Sequence, residues 1–579
     1  MIPVEKTIVR APLPATTARL PGDLHPVLRR VYANRNLTDG AELDRGLSSM
    51  LPVSLLDNST DAAALLHQTI EERKRILIVA DFDADGATGC ALAIRGLHLM
   101  GAENVAYLVP NRFQYGYGLT PEIVAVAKEL SPSLIVTVDN GISSIQGVKV
   151  AKAAGIQVLV TDHHLPGPEL PDADVIVNPN SGKNGFPSKN LAGVGVIFYV
   201  LIALRKRLDE AGWFSRLGAA PPNLAQLLDL VALGTVADVV PLDHNNRVLV
   251  HQGLQRIRAG RCCPGIRALA KVAQRTLPGL VSSDLGFAIG PRLNAAGRIE
   301  DMSLGIECLL AEDQGRADEL ARRLDSLNST RRKIEQEMRL QASELLAALP
   351  LSGGLPVGLC LYRKEWHQGV IGILAARIRE YCHRPVIAFA PAEEEGVIKG
   401  SARSVPGLHI RDVLHAVAVS NPRLLQKFGG HAMAAGLALQ RSDLDAFSHE
   451  FDCEVRRRID SESLRGIIHS DGELEADDLH LALAELLRAA GPWGQGFAEP
   501  LFDGIFCVLQ RRVVAQKHVK LILQLSGGGD TVIDAIAFNQ AETDTGAATI
   551  HAAYRVGVNE YLGKRCLQLL IEYFQAVPD

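Results

Sequence analysis

Acidic and imidazole side chains follow three short apolar runs in this 579-residue chain. Asp81, Asp83 and Asp85 come directly after Ile76-Leu-Ile-Val-Ala80, Asp139 after Leu134-Ile-Val-Thr-Val138, and Asp162-His163-His164 after Val158-Leu-Val-Thr161. If these runs are parallel strands, the groups emerge at the carboxyl ends, where open α/β sheets place ligands. Carboxylates crowded there repel one another unless cations neutralise them. Oxygen donors with one or two imidazoles suit Mn²⁺ or Mg²⁺ better than zinc or copper. The chemistry indicated by the residues alone is therefore that of a site for hard or borderline divalent cations. Each feature has a plainer reading alone: an Asp after a strand usually caps a helix, and a His-His pair is more often structural. Three strand ends that all deliver ligand types outweigh those readings.

The elements that must position these groups are legible nearby. Residues 70–180 alternate continuous apolar runs, Val105-Ala-Tyr-Leu-Val109 among them, with helical stretches. That pattern predicts a parallel sheet covered on both faces. A helix-rich stretch spans 196–285, and from Glu312 to Leu349 the residues Leu320, Leu324, Leu327, Ile334, Met338 and Leu345 recur at helical steps. This predicts a long amphipathic spacer, a coiled-coil pairing being the alternative. A second α/β unit runs to about Ile467. Strand-like runs at 505–509, 520–524, 531–534 and 568–572, with a Gly-rich turn at 527–530, then suggest a small OB-like barrel.

Composition narrows the class. The net charge of −5 argues against a protein that coats nucleic acid by bulk charge, and leaves open a basic rim around an acidic centre. The nine cysteines are scattered and never spaced CxxC, which predicts buried reduced thiols and neither a disulfide framework nor a zinc site. The first residues lack an apolar signal region and no run reaches the length of a membrane span. A soluble, cytoplasmic protein without a membrane association is expected, with a monomer as the default.

Asp81-Phe-Asp-Ala-Asp-Gly86, Val138-Asp-Asn-Gly141, Asp162-His-His164 and Gly234-Thr-Val-Ala-Asp238 together resemble the ordered motifs of the DHH phosphoesterase family. Spacing alone would make Asp238 a helix-end residue; the resemblance makes it a metal ligand beside Asp83, Asp85, Asp139 and His163. It implies two ions, Mn²⁺ or Mg²⁺, with Asp139 bridging and His164 contacting the scissile phosphate or leaving oxygen. Asp81 and Asp162 join His164 as candidate catalytic or orienting groups.

Further segments resemble the single-strand-specific exonucleases of that family: Pro110-Asn-Arg112 with Tyr115-Gly-Tyr-Gly-Leu119, Gly290-Pro-Arg-Leu-Asn-Ala-Ala-Gly-Arg298, Trp366-His-Gln-Gly-Val-Ile-Gly372, Gly400-Ser-Ala-Arg-Ser404 and Phe428-Gly-Gly-His431. The resemblance assigns Arg112, Ser401 and Arg403 to a pocket for a terminal 5′-phosphate, with His431 donating to phosphate. It places Arg292, Asn294 and Arg298 along the strand path between two lobes. Phe113, Tyr115 and Tyr117 offer stacking faces, against the plain reading of core packing. Lys517, His518 and Lys520 offer a second DNA-binding face, a solvated edge being as good a reading. Two departures stand out: Trp493 and Phe497 where Phe and Asn are usual, and Ala402 where Gly is usual.

The expected fold is α/β: a DHH-type parallel-sheet lobe (1–310, with an N-terminal extension), a linking helix (311–350), a smaller α/β lobe (351–467) and an OB-like nucleic-acid-binding barrel (468–579). The expected activity is 5′-to-3′ digestion of single-stranded DNA to 5′-mononucleotides in recombination and repair. The resemblance implies a RecQ-type helicase and a single-stranded-DNA-binding protein as partners. A phosphodiesterase for short oligonucleotides or cyclic dinucleotides is the rival, disfavoured by the extra region beyond 467. A non-catalytic replication scaffold is disfavoured because every expected ligand is present.

Overall fold

The computed structural model describes residues 6–577 apart from 13–18, 112–116, 183–184, 349–355, 426, 461–463, 528–530, 542–543, 545 and 562. By internal contact the chain divides into two units. One, the acid-bearing unit, comprises Leu13–Asn328 with Ala482–Pro500; the other, the barrel-bearing unit, comprises Met1–Pro12, Ser329–Leu481 and Leu501–Asp579.

In the acid-bearing unit five parallel strands lie in the order Val105–Leu108, Ile76–Ala80, Leu134–Val138, Gln157–Thr161, Val175–Val177. The strands Ile76–Ala80 and Leu134–Val138 are buried at every residue, which is why their sequences run apolar without alternation. Leu77, Val79 and Ile135 pack with Ile123, Val124, Val148 and Ala151 of the helices Pro121–Glu129 and Ile145–Ala153. The helices Ala84–Leu99 and Gly193–Glu210 lie against the same strands from the opposite face. The fifth strand, three residues long at the sheet edge, is too short to give a sequence signal.

The segment Ala482–Pro500 returns to this unit, whereas the sequence grouped it with the terminal barrel. The reason is aromatic packing. Trp493 and Phe497 stack at 5.0 Å between centroids, Tyr32 lies 6.0 and 6.2 Å from them, and the Arg247 guanidinium sits 4.4 Å over the Phe497 ring. The Trp493 indole N–H donates to the Leu487 carbonyl, and the Ser282 hydroxyl donates to the Trp493 carbonyl. The two unusual residues thus form a buried clasp inside the unit. Phe497→Ala should lower unfolding free energy by about 3–5 kcal/mol, read from urea titrations monitored by tryptophan fluorescence.

The barrel-bearing unit holds a mixed five-stranded sheet ordered Lys427–Gly430, Ala434–Gln440, Val397–Arg403, Val386–Pro391, Leu359–Tyr362. Only the Leu359–Tyr362 and Val386–Pro391 pair is parallel. Phe389, Phe447 and Phe451 centre its core. Ala402 is fully buried there, so its methyl fills core space where glycine is usual. The barrel closes through Phe502–Val514, His518–Leu525, Val532–Ala537, Lys564–Ala576 and Thr549–Tyr561. Sequence reading placed four of these strands; Thr549–Tyr561, with polar residues through its length, gave no apolar run.

A parallel pair, Lys6–Arg10 with Gly466–Ser470, ties the N-terminal strand to this unit. Its anchor is the buried Asp503 carboxylate, which accepts from Arg10, Ser470 and His551.

The predicted spacer is one helix, Gln314–Ala347. Along it Ala317, Leu320, Ala321, Leu324, Met338, Ala342 and Leu346 are buried, Leu327, Ile334 and Leu345 are half-buried, and Leu340 is exposed. All nine cysteines are free, but only Cys90, Cys308 and Cys382 are buried and Cys566 is exposed, so the expectation of uniformly buried thiols is corrected. No helix among the described residues is long and apolar enough to cross a membrane.

Candidate metal centre

The loop after Ile76–Ala80 turns straight into the helix Ala84–Leu99. Asp83 caps that helix, its Oδ1 accepting from the N–H groups of Asp85 (2.9 Å) and Gly86 (3.1 Å). Asp85 lies in the first turn, fully buried. Its carboxylate accepts from the Gly193 and Val194 N–H groups at 2.6 and 3.0 Å, the start of the helix Gly193–Glu210. Close approach demands glycine here: a Cβ on Gly193 would come within 2.5–2.8 Å of Asp139, and one on Gly234 would meet Thr88 and Asp85. Asp139 itself has φ +64°, the left-handed region that an Asp tolerates better than most residues.

Three interlocking groups of ligand atoms result, each within 4.8 Å: Asp81, Asp83 and Asp139; Asp139, His163 and His164; Asp85, His163 and Asp238. The His163 Nε2 stands 3.0 Å from Asp139 Oδ1 and 3.5 Å from Asp238 Oδ2. Asp238 is delivered by the end of the helix Leu228–Ala237, the placement that spacing alone could not distinguish from a simple helix terminus. Burial, followed by the charges of Asp85, Asp83 and Asp81, pushes the Asp139 and Asp238 carboxyls well above the usual carboxylate range. Burial and the charge of Asp83 raise Asp85 to about 7.

Asp162 does a different job. Its Oδ1 accepts from the His163 and His164 N–H groups and from His164 Nδ1 (2.8 Å), while Oδ2 accepts from the Ile142 N–H. Burial works against its charge, but these bonds hold its carboxyl below the usual range. Burial likewise works against the His164 cation, yet the bond to Asp162 raises that imidazole overall. Asp162 is therefore the group that orients His164 and turns Nε2 away from itself.

Sequence reasoning missed several supports, and for Tyr117 it offered only a stacking face. The Tyr117 hydroxyl donates to the Asp139 carbonyl at 3.1 Å and lies 3.2 Å from His164 Nδ1, its ring edge-on to both His164 and Phe82. The Asn178 and Asn180 amides donate to the carbonyls of His164 and His163. The buried Asn140 amide donates to the carbonyls of Val79 and Val138, joining two strand ends. An asparagine or tyrosine in a loop carries no spacing signal, so only the fold reveals these roles.

The remaining candidates divide by location. Arg112 and Tyr115 lie outside the described residues. Asn294 Oδ1 accepts from the Ala84 N–H at 2.9 Å and so braces the Asp83–Asp85 turn. Arg292 is buried, its guanidinium held by Asp325 (2.8 Å) and the Ala288 carbonyl (2.5 Å); Arg298 on the same helix is half-buried. In the barrel-bearing unit Arg403 donates to the Ser401 hydroxyl and the Ala402 carbonyl. Burial and neighbouring Arg379 lower its pKa. His431 is exposed beside the strand Lys427–Gly430. In the barrel, Lys520 pairs with Asp534 at 3.3 Å, and His518 Nδ1 accepts from the Asn539 N–H.

Comparison with known proteins decides the family. Residues 75–235 match the DHH family N-terminal domain, 356–457 the DHHA1 domain, and 470–573 the RecJ OB domain. The chain is 53% identical over 560 residues to the single-stranded-DNA-specific exonuclease RecJ of Salmonella typhimurium, covering 96% of this chain and 97% of that protein. The chain belongs to the RecJ family. The crystal structure of Thermus thermophilus RecJ with Mn²⁺ superposes with a TM-score of 0.80 at 29% identity, covering 99% of this chain and 79% of that one. That of the same RecJ with Mg²⁺ gives 0.74 at 28% identity, covering 99% and 78%.

The donor set of this RecJ-family centre fits such ions on its own evidence. Oxygen donors dominate, imidazole is second, and thiolates are absent from all three groups. Asp139 Oδ1 is buried and, though near His163, lacks an aligned hydrogen-bond donor among the described residues. A buried carboxylate oxygen left in that state, among others that repel it, is what a cation would satisfy.

Proposed function

We propose that the chain is a Mn²⁺- or Mg²⁺-dependent exonuclease specific for single-stranded DNA, acting from the 5′ end and releasing 5′-mononucleotides. The observation that carries the reaction is the meeting of Asp81, Asp83, Asp85, Asp139, His163, His164 and Asp238 in three groups of ligand atoms. Two ions would be held by Asp83, Asp85, Asp139, His163 and Asp238, of which Asp139 and His163 each belong to two of the groups. Bound divalent cations supply water activation near neutral pH and charge stabilisation on the phosphoryl oxygens. Asp162 holds His164 through Nδ1, and Nε2, which lies 3.4 Å from the Tyr117 hydroxyl, would donate to the scissile phosphate or the leaving oxygen. Tyr117 fixes the position of that imidazole. Asp81, third member of the group with Asp83 and Asp139, completes the acidic wall.

The polarity is read from Ser401 and Arg403. The hydrogen bonds of the Arg403 guanidinium among the described residues leave donors for a phosphate fork. Arg403→Ala should cut the preference for 5′-phosphorylated over 5′-hydroxyl strands about tenfold or more, from the ~1.5–3 kcal/mol of a charged hydrogen bond. Rates on paired end-labelled oligonucleotides measure this; an unchanged preference would misplace the pocket, and digestion from the 3′ end would overturn the polarity. Arg292, held by Asp325, would act by fixing its helix, leaving Arg112 and Arg298 as direct contacts. Recombination and repair, downstream of a RecQ-type helicase and beside a single-stranded-DNA-binding protein, is the setting this activity fits.

A further inference from the structure

We propose that Phe287 is a stacking platform for a nucleobase of the strand being cut. The proposal rests on the single-strand exonuclease reading and adds a binding residue to it. Phe287 is 82% exposed, the most exposed large apolar side chain of the described residues; the next, Val419, is 65%. Its neighbours Leu285 and Ile289 are fully buried, so the segment is packed and only this ring projects.

The projection has a backbone cause. Leu285–Ile289 forms a π-helical turn that runs directly into the helix Gly290–Ile299. The extra residue in such a turn displaces a side chain from the helical register, and these turns recur at functional sites. Leaving a phenylalanine in water forgoes about 1.5–3 kcal/mol of burial, which stacking against a base would recover.

The turn is fixed to the acidic centre from two sides. A Cβ on Gly286 would lie 3.3 Å from Val236, and one on Gly290 3.1 Å from Ala237, so the turn packs against the last residues before Asp238. The helix it feeds is bonded to the Asp83–Asp85 turn through Asn294. Val239, directly after Asp238, is also exposed and has φ +64°. An exposed aromatic ring on a turn packed against the residues that lead into Asp238 would meet, on the strand being cut, the bases flanking the phosphate. Base-on-aromatic stacking is sequence-tolerant, as a general exonuclease requires.

The test couples the residue to a base. Single abasic sites are walked along a 5′-phosphorylated oligothymidylate, and kcat and KM are measured with Mn²⁺ for wild type, Phe287→Ala and Phe287→Trp. Phe287→Ala should raise KM about tenfold on the intact strand with kcat within twofold, and Phe287→Trp should restore it. In wild type one abasic position should raise KM by a similar factor, and Phe287→Ala should be indifferent to that position. An unchanged KM in Phe287→Ala, or a loss that persists equally at every abasic position, overturns the proposal. Failure of wild type to digest the intact strand is a different result, and removes the exonuclease reading itself.

Discussion

Asp139→Ala should reduce the rate of single-strand digestion at least about 10³-fold, some 4 kcal/mol of transition-state stabilisation. The size follows from position. Asp139 belongs to two of the three ligand groups, lies 3.0 Å from His163 and is fully buried, so no neighbour can substitute for it. Asp139→Asn, which keeps the volume beside Gly193 and removes only the charge, should lose nearly as much while melting close to wild type. His163→Ala should fall to the same level, because it removes a member of two groups. Pairs of residues acting as one unit lose activity non-additively, so Asp139→Ala with His163→Ala should be little worse than either alone. End-labelled digestion with Mn²⁺ measures all four; activity equal to wild type would remove the metal assignment.

The second large effect is an inversion of how stability depends on pH. Without metal, Asp85 titrates near 7 and Asp139 and Asp238 are raised well above the ordinary range, each chiefly by burial. Between the ordinary carboxylate pKa and these raised values the folded chain holds more protons than the unfolded chain. Stability therefore falls as pH rises through that window. Chelated protein should melt at a higher temperature at pH 5.5 than at pH 8. Divalent cations bind the deprotonated ligands and stabilise the folded state by mass action. Addition of Mn²⁺ should thus raise Tm more at pH 8 than at pH 5.5, and chelation should abolish digestion. Scanning calorimetry at the two pH values, with chelator and with excess Mn²⁺, reads the sign directly. A chelated protein that grows more stable toward pH 8 would contradict the packed-acid description of the site.

Much of this site was legible because its signals are local. A continuous apolar run followed by an acidic residue is written within eight positions, and parallel-strand topology then fixes where the residue emerges. Ile76–Ala80 and Leu134–Val138 are the strands that the sequence predicts, to the residue. Asp238 was different: its helix end looks like any other, and family resemblance alone singled it out before the fold placed its carboxylate 3.5 Å from His163. Asn178 and Asn180 carried no signal, and Tyr117 and Asn140, though inside recognised motifs, gave no hint of their hydrogen bonds, since those roles depend on which carbonyls and imidazoles the fold brings within reach.

Side-chain chemistry and periodicity, which are properties of neighbouring residues, determined the acidic strand ends, the class of cation and the long helix. Only tertiary structure decided that Ala482–Pro500 packs with Tyr32 and Arg247, that Asp503 anchors the N-terminal strand, and that Arg292 is spent on Asp325. Those are contacts between residues far apart in the chain. Their energies depend on burial and distance, which no local pattern encodes.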